Sequence, residues 1–93
     1  MEDYQVIYSG SLTTTNTDIY IAPTQNAGAI IKNIILYNTN PTNAKVTLTL
    51  DNTNFVFEIN QGQTIFLDRV IYTKSMVASG DGVNIHVCGL LVS

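Results

Sequence analysis

The chain has 93 residues, 45% of them apolar and only 12% charged, with a formal net charge of −3. Its four basic residues, Lys32, Lys45, Arg69 and Lys74, are scattered, which excludes nucleic acid as a partner because phosphate neutralisation needs a clustered basic face. One cysteine, Cys88, excludes an internal disulfide and a Cys-based zinc cage.

The first segment, "MEDYQVIYSG", opens acidic and carries no basic-then-apolar leader, which predicts no signal peptide. A strand is expected near Gln5–Ser9, with residues 1–11 as an N-terminal arm or edge strand. The run "TTTNT", Thr13–Thr17, reads as a polar connector. "DIYIA" then puts Ile19 and Ile21 on one face and Tyr20 on the other, and Pro23 closes it because proline cannot donate to a ladder.

"AIIKNIILYN", Ala29–Asn38, is a strand long enough to cross a sheet. Its inward set is either Ile31, Ile35 and Tyr37 or Ile30, Ile34 and Leu36, and both faces read as partly covered. A helix fits these residues about as well by spacing. β-Branched residues dominate the run, however, no N-cap with an acidic first turn precedes it, and its neighbours all read as strands.

"VTLTL" places Val46, Leu48 and Leu50 opposite Thr47 and Thr49, the alternation of a half-buried strand. "NFVFEI" groups Phe55, Phe57 and Ile59 and turns Glu58 away. "DNTN", Asp51–Asn54, supplies the turn formers that join the two into a hairpin. "NQGQTIFL" turns at Gly62 into a strand at Thr64–Leu67. "VIYTKSMVAS" and "VNIHVCGLLV" complete the set, separated by "GDG" at Gly80–Gly82, where both glycines are expected to supply positive φ. Seven or eight short strands at this spacing predict an all-β fold, a small antiparallel β-sandwich of jelly-roll-like type, as one domain over residues 1–93. No apolar run approaches the ~18 residues that span a membrane.

Chemistry has few candidates. On the period-two count, His86 shares a face with Asn84, Cys88 and Leu90, and an imidazole beside a thiol is a nucleophile–base set. Nothing else in the chain supplies an oxyanion signature or an orienting partner, so both residues read as sheet filling, with no catalytic residues and no enzyme activity expected. The acids are dispersed. "GDG" lacks the Asp-x-Asp spacing and closing Glu of a calcium loop, and no metal or other cofactor is expected. Asp68 and Arg69 adjoin at a bend. The five tyrosines suit strands and interfaces alike.

A domain this small buries only about 60–65% of its unfolded surface, a thin margin that association widens. The long run at Ala29–Asn38 has more apolar residues than one small sandwich needs, and lysine and proline, the usual edge guards, are few in the strands. A homo-oligomer is therefore expected, with another chain covering the surface near Ile30, Ile34 and Tyr37.

The order of the pieces resembles a group of small tailed-bacteriophage virion proteins. Its pattern is a "T-x-x-x-IY-x-AP" opening, an "I-x-N-I-x-L-x-N" run and a closing "V-N-I-x-V-x-G". The matching positions are Thr15, Ile19, Tyr20, Ala22 and Pro23, then Ile31, Asn33, Ile34, Leu36 and Asn38, then Val83, Asn84, Ile85, Val87 and Gly89. The segment after Tyr72, "TKSM", and Leu90 after Gly89 depart from that pattern. The resemblance implies a non-enzymatic virion protein, assembled in a host cytoplasm, that decorates or cements a capsid through the major capsid protein or other virion subunits. Its alternative is a receptor- or carbohydrate-binding module of a tail or fibre.

Overall fold

The computed structural model describes residues 4–92. They form nine strands: β1 (Tyr4–Ser11), β2 (Thr17–Ile21), β3 (Gly28–Asn38), β4 (Ala44–Leu50), β5 (Thr53–Ile59), β6 (Thr64–Leu67), β7 (Ile71–Thr73), β8 (Ser75–Ser79) and β9 (Val83–Val92). Two antiparallel sheets pack face to face. The five-stranded sheet runs β1-β9-β3, with β6 and β7 both pairing the far side of β3; the four-stranded sheet runs β2-β8-β4-β5. The β-sandwich expected from the alternation is thus the fold.

The hairpin β4–β5 shows how closely local chemistry sets local structure. Leu50 pairs Thr53 across a two-residue turn, and both turn residues, Asp51 and Asn52, have positive φ (49° and 68°). That combination matches the twist of the flanking strands, and Asp and Asn tolerate it better than other side-chain-bearing residues. Asp51 also ties the hairpin to the rest of the sandwich. Its Oδ1 accepts from the Lys74 N–H (3.0 Å), the Ser75 N–H (3.0 Å) and the Thr73 hydroxyl (3.2 Å). These donors hold its carboxyl below the ordinary range, the Lys74 and Ser75 backbone N–H groups foremost.

The segment read as one strand from Val70 to Ser79 is two. Ile71–Thr73 pairs β3 in one sheet, while Ser75–Ser79 pairs β2 and β4 in the other. The chain changes layer at Lys74, and Asp51 grips the backbone there.

β3 follows neither of its two expected phases. Its core-facing residues are Ala29, Ile31, Ile34, Leu36 and Asn38, because a β-bulge between Ile31 and Asn33 inserts one extra residue against β9. The bulge shifts the alternation by one, so Ile31 and Ile34 both face the core. Gly89 makes room for it: a Cβ there would collide with the Ile30 carbonyl oxygen.

The core joins Leu12, Ile19, Ile31, Ile34, Leu36, Val46, Leu48, Ile59, Met76, Val83, Ile85 and Val87 from both layers. Phe55 lies on the expected inward side of β5 but keeps 46% exposure, because β5 is an edge strand with nothing beyond it to cover its turn-proximal half. Asn38 is the buried polar exception. Its Nδ2 donates to the carbonyls of Thr42 (2.8 Å), Ile59 (3.0 Å) and Asn60 (3.3 Å), and its Oδ1 accepts from the Asn40 N–H (2.9 Å). One amide side chain therefore fixes two loops, meeting the rule that buried polar groups are paired. Of the "GDG" glycines, Gly82 has positive φ (75°). Gly80 instead serves close packing, since a Cβ would meet the Val46 side chain and Lys45 carbonyl.

Candidate interaction surface

The outer face of the five-stranded sheet is built by register. Strand pairing places side chains in rows across it. One row reads Tyr4, Leu90, Ile30 and Tyr72; the next Val6, Cys88 and Asn33; the third Ser9, His86, Ile35 and Phe66; the last Ser11, Asn84, Tyr37 and Thr64. A bulge in β1 between Val6 and Tyr8 lies beside the one in β3, so both neighbours of β9 shift phase together and the rows stay aligned. No Asp or Glu stands in these rows, and one cation, Lys32, lies beside Asn33 as the unpaired residue of the β3 bulge.

Much of the surface is apolar and open. Phe66 is 62% exposed, Tyr4 57%, Tyr72 54%, Val6 53% and Tyr37 41%. Aromatic side chains carry about 150–250 Å² each, so these five residues offer roughly 500 Å² per chain, with half-buried Ile30, Ile35 and Leu90 between them. A soluble monomer's largest apolar patch is typically about 300–600 Å².

The polar members hold one another in place. The Tyr4 hydroxyl accepts from Asn33 Nδ2 (3.1 Å), the Ser11 hydroxyl donates to Asn84 Oδ1 (2.7 Å), and His86 Nδ1 pairs with Ser9 Oγ (3.0 Å). Ser9, Ser11, Asn84 and His86 line a shallow groove of about 310 Å³ with Ile35 and Tyr37. Tyr72 covers Gly28, where a Cβ would strike its ring.

The outer face of the other sheet differs in kind. Its rows run Ser75 and Ile21; Asn54, Thr49, Val77 and Asp18; Val56, Thr47 and Ser79; and Glu58 opposite Lys45, with Ile21 and Val56 its exposed apolar members. Hydroxyls, amides and charges dominate it. The sandwich therefore has one apolar outside and one polar outside.

The surface named from sequence, Ile30, Ile34 and Tyr37, is not one face. Ile30 and Tyr37 stand on the outer face, while Ile34 is fully buried in the core, moved there by the bulge. Tyr4 and Tyr72 belong to the five tyrosines that suit strands and interfaces alike; Val6, Phe66 and Leu90 carry no interface expectation, although "TIFL" and "VIY" are apolar on both period-two faces. His86 and Cys88 do share the outer face with Asn84 and Leu90, as the alternation implied. His86 meets Ser9, and Cys88 is a free, half-buried thiol beside Val6 and Asn33. Among the described residues, no group of three or more His, Cys, Asp or Glu gathers into a metal site.

No family model matches the chain, and no curated protein does. Among solved structures it is similar to Drosophila NLP-core, whose crystal structure is described as providing insight into pentamer formation and histone binding. The TM-score is 0.54 at 16% identity, over 96% of this chain and 100% of that one. At that identity the likeness is one of fold. It corrects the virion reading nonetheless, whether as a capsid decoration protein with capsid partners or as a tail or fibre module. The similar sandwich, spanning the same length, is that of a histone-binding pentamer and not a phage particle. The physical reason is visible in the anchors of the resemblance: nine of the fifteen, Ile19, Ile31, Ile34, Leu36, Asn38, Val83, Ile85, Val87 and Gly89, are buried. They specify a sandwich core, and a core is shared by proteins whose outer surfaces have nothing in common.

Proposed function

We propose that the protein is a non-catalytic assembly module that binds further copies of itself through the outer face of its five-stranded sheet. The observation that carries this reading is the aromatic-rich set of rows from Tyr4 to Phe66, set against a polar outer face on the opposite sheet. A standard interface buries about 800 Å² per partner, and the roughly 500 Å² of open apolar surface supplies the greater part of it. Homo-oligomerisation also accords with the pentamer formation described for the fold neighbour. Histone binding is not carried over, because the acids of this chain, Glu2, Asp3, Asp18, Asp51, Glu58, Asp68 and Asp81, are dispersed along it.

Cys88 is a built-in reporter, since it sits within the proposed contact. Maleimide labelling of its thiol should slow as protein concentration rises, in step with a mass increase seen by sedimentation. Phe66→Lys should abolish the concentration-dependent protection of Cys88 and weaken the mass increase, while leaving the melting profile of the monomer intact. Association of Phe66→Lys equal to that of the unsubstituted chain, or labelling of Cys88 independent of concentration, would overturn the proposal.

A further inference from the structure

Each sheet edge exposes unpaired backbone groups, and three of the four carry a recognised defence. β1 is bulged between Val6 and Tyr8, and β2 between Asp18 and Tyr20. The far edge of β3 is filled by two short strands, β6 and β7, interrupted by the loop at residues 68–70. β5 has none of these. It runs unbroken from Thr53 to Ile59 in regular register with β4, contains neither proline nor lysine, and exposes Val56 at 64%. A regular, uncovered, apolar edge is a template for another strand.

The chemistry of the edge also says which strand fits. In a hairpin closed by a two-residue turn, the flanking pair Leu50–Thr53 exchanges both backbone bonds, and so do Leu48–Phe55, Val46–Phe57 and Ala44–Ile59. The N–H and C=O groups of Asn54, Val56 and Glu58 therefore point away from β4, and none has another backbone partner among the described residues. An antiparallel copy of the same strand, centred on Val56, uses all of them. That register sets Val56 against its own copy, Asn54 against Glu58 and Phe55 against Phe57. No like charges meet, each carboxylate faces an amide, and the inward aromatic sides of both strands stay on one face.

We infer that β5 is a second self-association site, pairing antiparallel with β5 of another copy about a two-fold axis at Val56 and joining two four-stranded sheets into one. The contact is isologous, as two-fold interfaces are. It lies on the sheet opposite the aromatic face, so either contact can fail without the other.

The axis position gives a register-specific test. Since residue 56 faces itself, Val56→Lys sets two ammonium groups opposite each other and Val56→Glu two carboxylates, whereas a mixed pair joins opposite charges. Each variant would be studied in the Phe66→Lys background, so that residual association belongs to β5, with Val56→Thr as the uncharged control. Val56 is exposed, so unchanged circular dichroism and melting are expected throughout. Sedimentation should show Val56→Lys and Val56→Glu associating at least about tenfold more weakly than Val56→Thr. Native mass spectrometry of the two charged variants mixed, one labelled with nitrogen-15, should show mixed pairs well above a random 1:2:1 distribution. Equal association of all three variants, or a random distribution in the mixture, would overturn the inference.

Discussion

Asn38 offers the sharpest test of how the sandwich is closed. Its amide donates to the carbonyls of Thr42, Ile59 and Asn60 and accepts from the Asn40 N–H, at 2.8 to 3.3 Å, on a residue with no exposure. Asn38→Asp keeps the shape and removes the donors, aiming a carboxylate oxygen at carbonyl oxygens. An unsatisfied buried polar group costs about 1–3 kcal/mol, and more when charged. The Ile59 carbonyl is buried, whereas those of Thr42 and Asn60 lie nearer solvent and recover water. A loss of about 3–5 kcal/mol follows, against a total of roughly 5–15 kcal/mol for a domain. At about 4–8 °C per kcal/mol for this size, the melting temperature falls by at least roughly 12 °C.

The pH dependence separates this account from a simple loss of packing. Burial among carbonyls raises the introduced carboxyl's folded pKa above its unfolded value. The folded state then binds more protons, so the variant loses stability as pH rises from about 4 towards the folded pKa and regains it on acidification. Asn38→Ala, which has no carboxyl, should be destabilised at every pH. Urea melts of both variants between pH 4 and 7 make the comparison. A stability within ~0.5 kcal/mol of the unsubstituted protein for Asn38→Asp at pH 7, below the ordinary cost of a lost bond, would mean that the amide does not donate where it is placed.

Other perturbations address separate parts of the fold. Leu48→Ala should cost about 2–5 kcal/mol and Phe55→Ala clearly less, since Phe55 keeps 46% of its surface exposed; equal losses in urea melts would mean that β5 is covered. Asp51→Ala should lower the melting temperature at neutral pH by freeing the Lys74 and Ser75 N–H groups. Because that carboxyl's folded pKa is lowered, its contribution should be present above the ordinary value of 3.8 and fade as pH falls below it; a difference from Asp51→Ala that persists at the lowest pH would refute this. Gly89→Ala should destabilise more than Gly62→Ala, because its Cβ would collide with backbone at the bulge while Gly62, despite positive φ, has open space around it; thermal melts decide the order.

The alternation of "VTLTL" and the Asp-Asn turn were legible because each side-chain type there has one comfortable place. Thr47 and Thr49 mark the outside of β4, and Asp51 and Asn52 tolerate the backbone that joins it to β5. β3 was not legible in the same way. Its polar pair Lys32 and Asn33 stands where the phase shifts, but two adjacent polar residues read as one on each face of a regular strand, and the bulge shows only in the pairing with β9. That shift alone sent Ile34 inward. The layer change at Lys74 was hidden for a similar reason, since Ile71–Ser79 reads as continuous strand and the break is made by Asp51, twenty-odd residues earlier.

The outer face became visible only when register was known, because a row such as Ser9, His86, Ile35 and Phe66 draws on four strands far apart in the chain. The two contact surfaces also rest on different physics. Burial of the aromatic rows is non-directional and weakens on cooling. Pairing at β5 is directional, held by backbone groups whose spacing tolerates only whole-residue shifts, and every odd shift turns Phe55 and Phe57 to the wrong side. Cooling should therefore loosen the first contact more than the second, and a point charge at Val56 should act on the second alone. An assembly that uses both contacts has its geometry set by the edge and much of its affinity by the face.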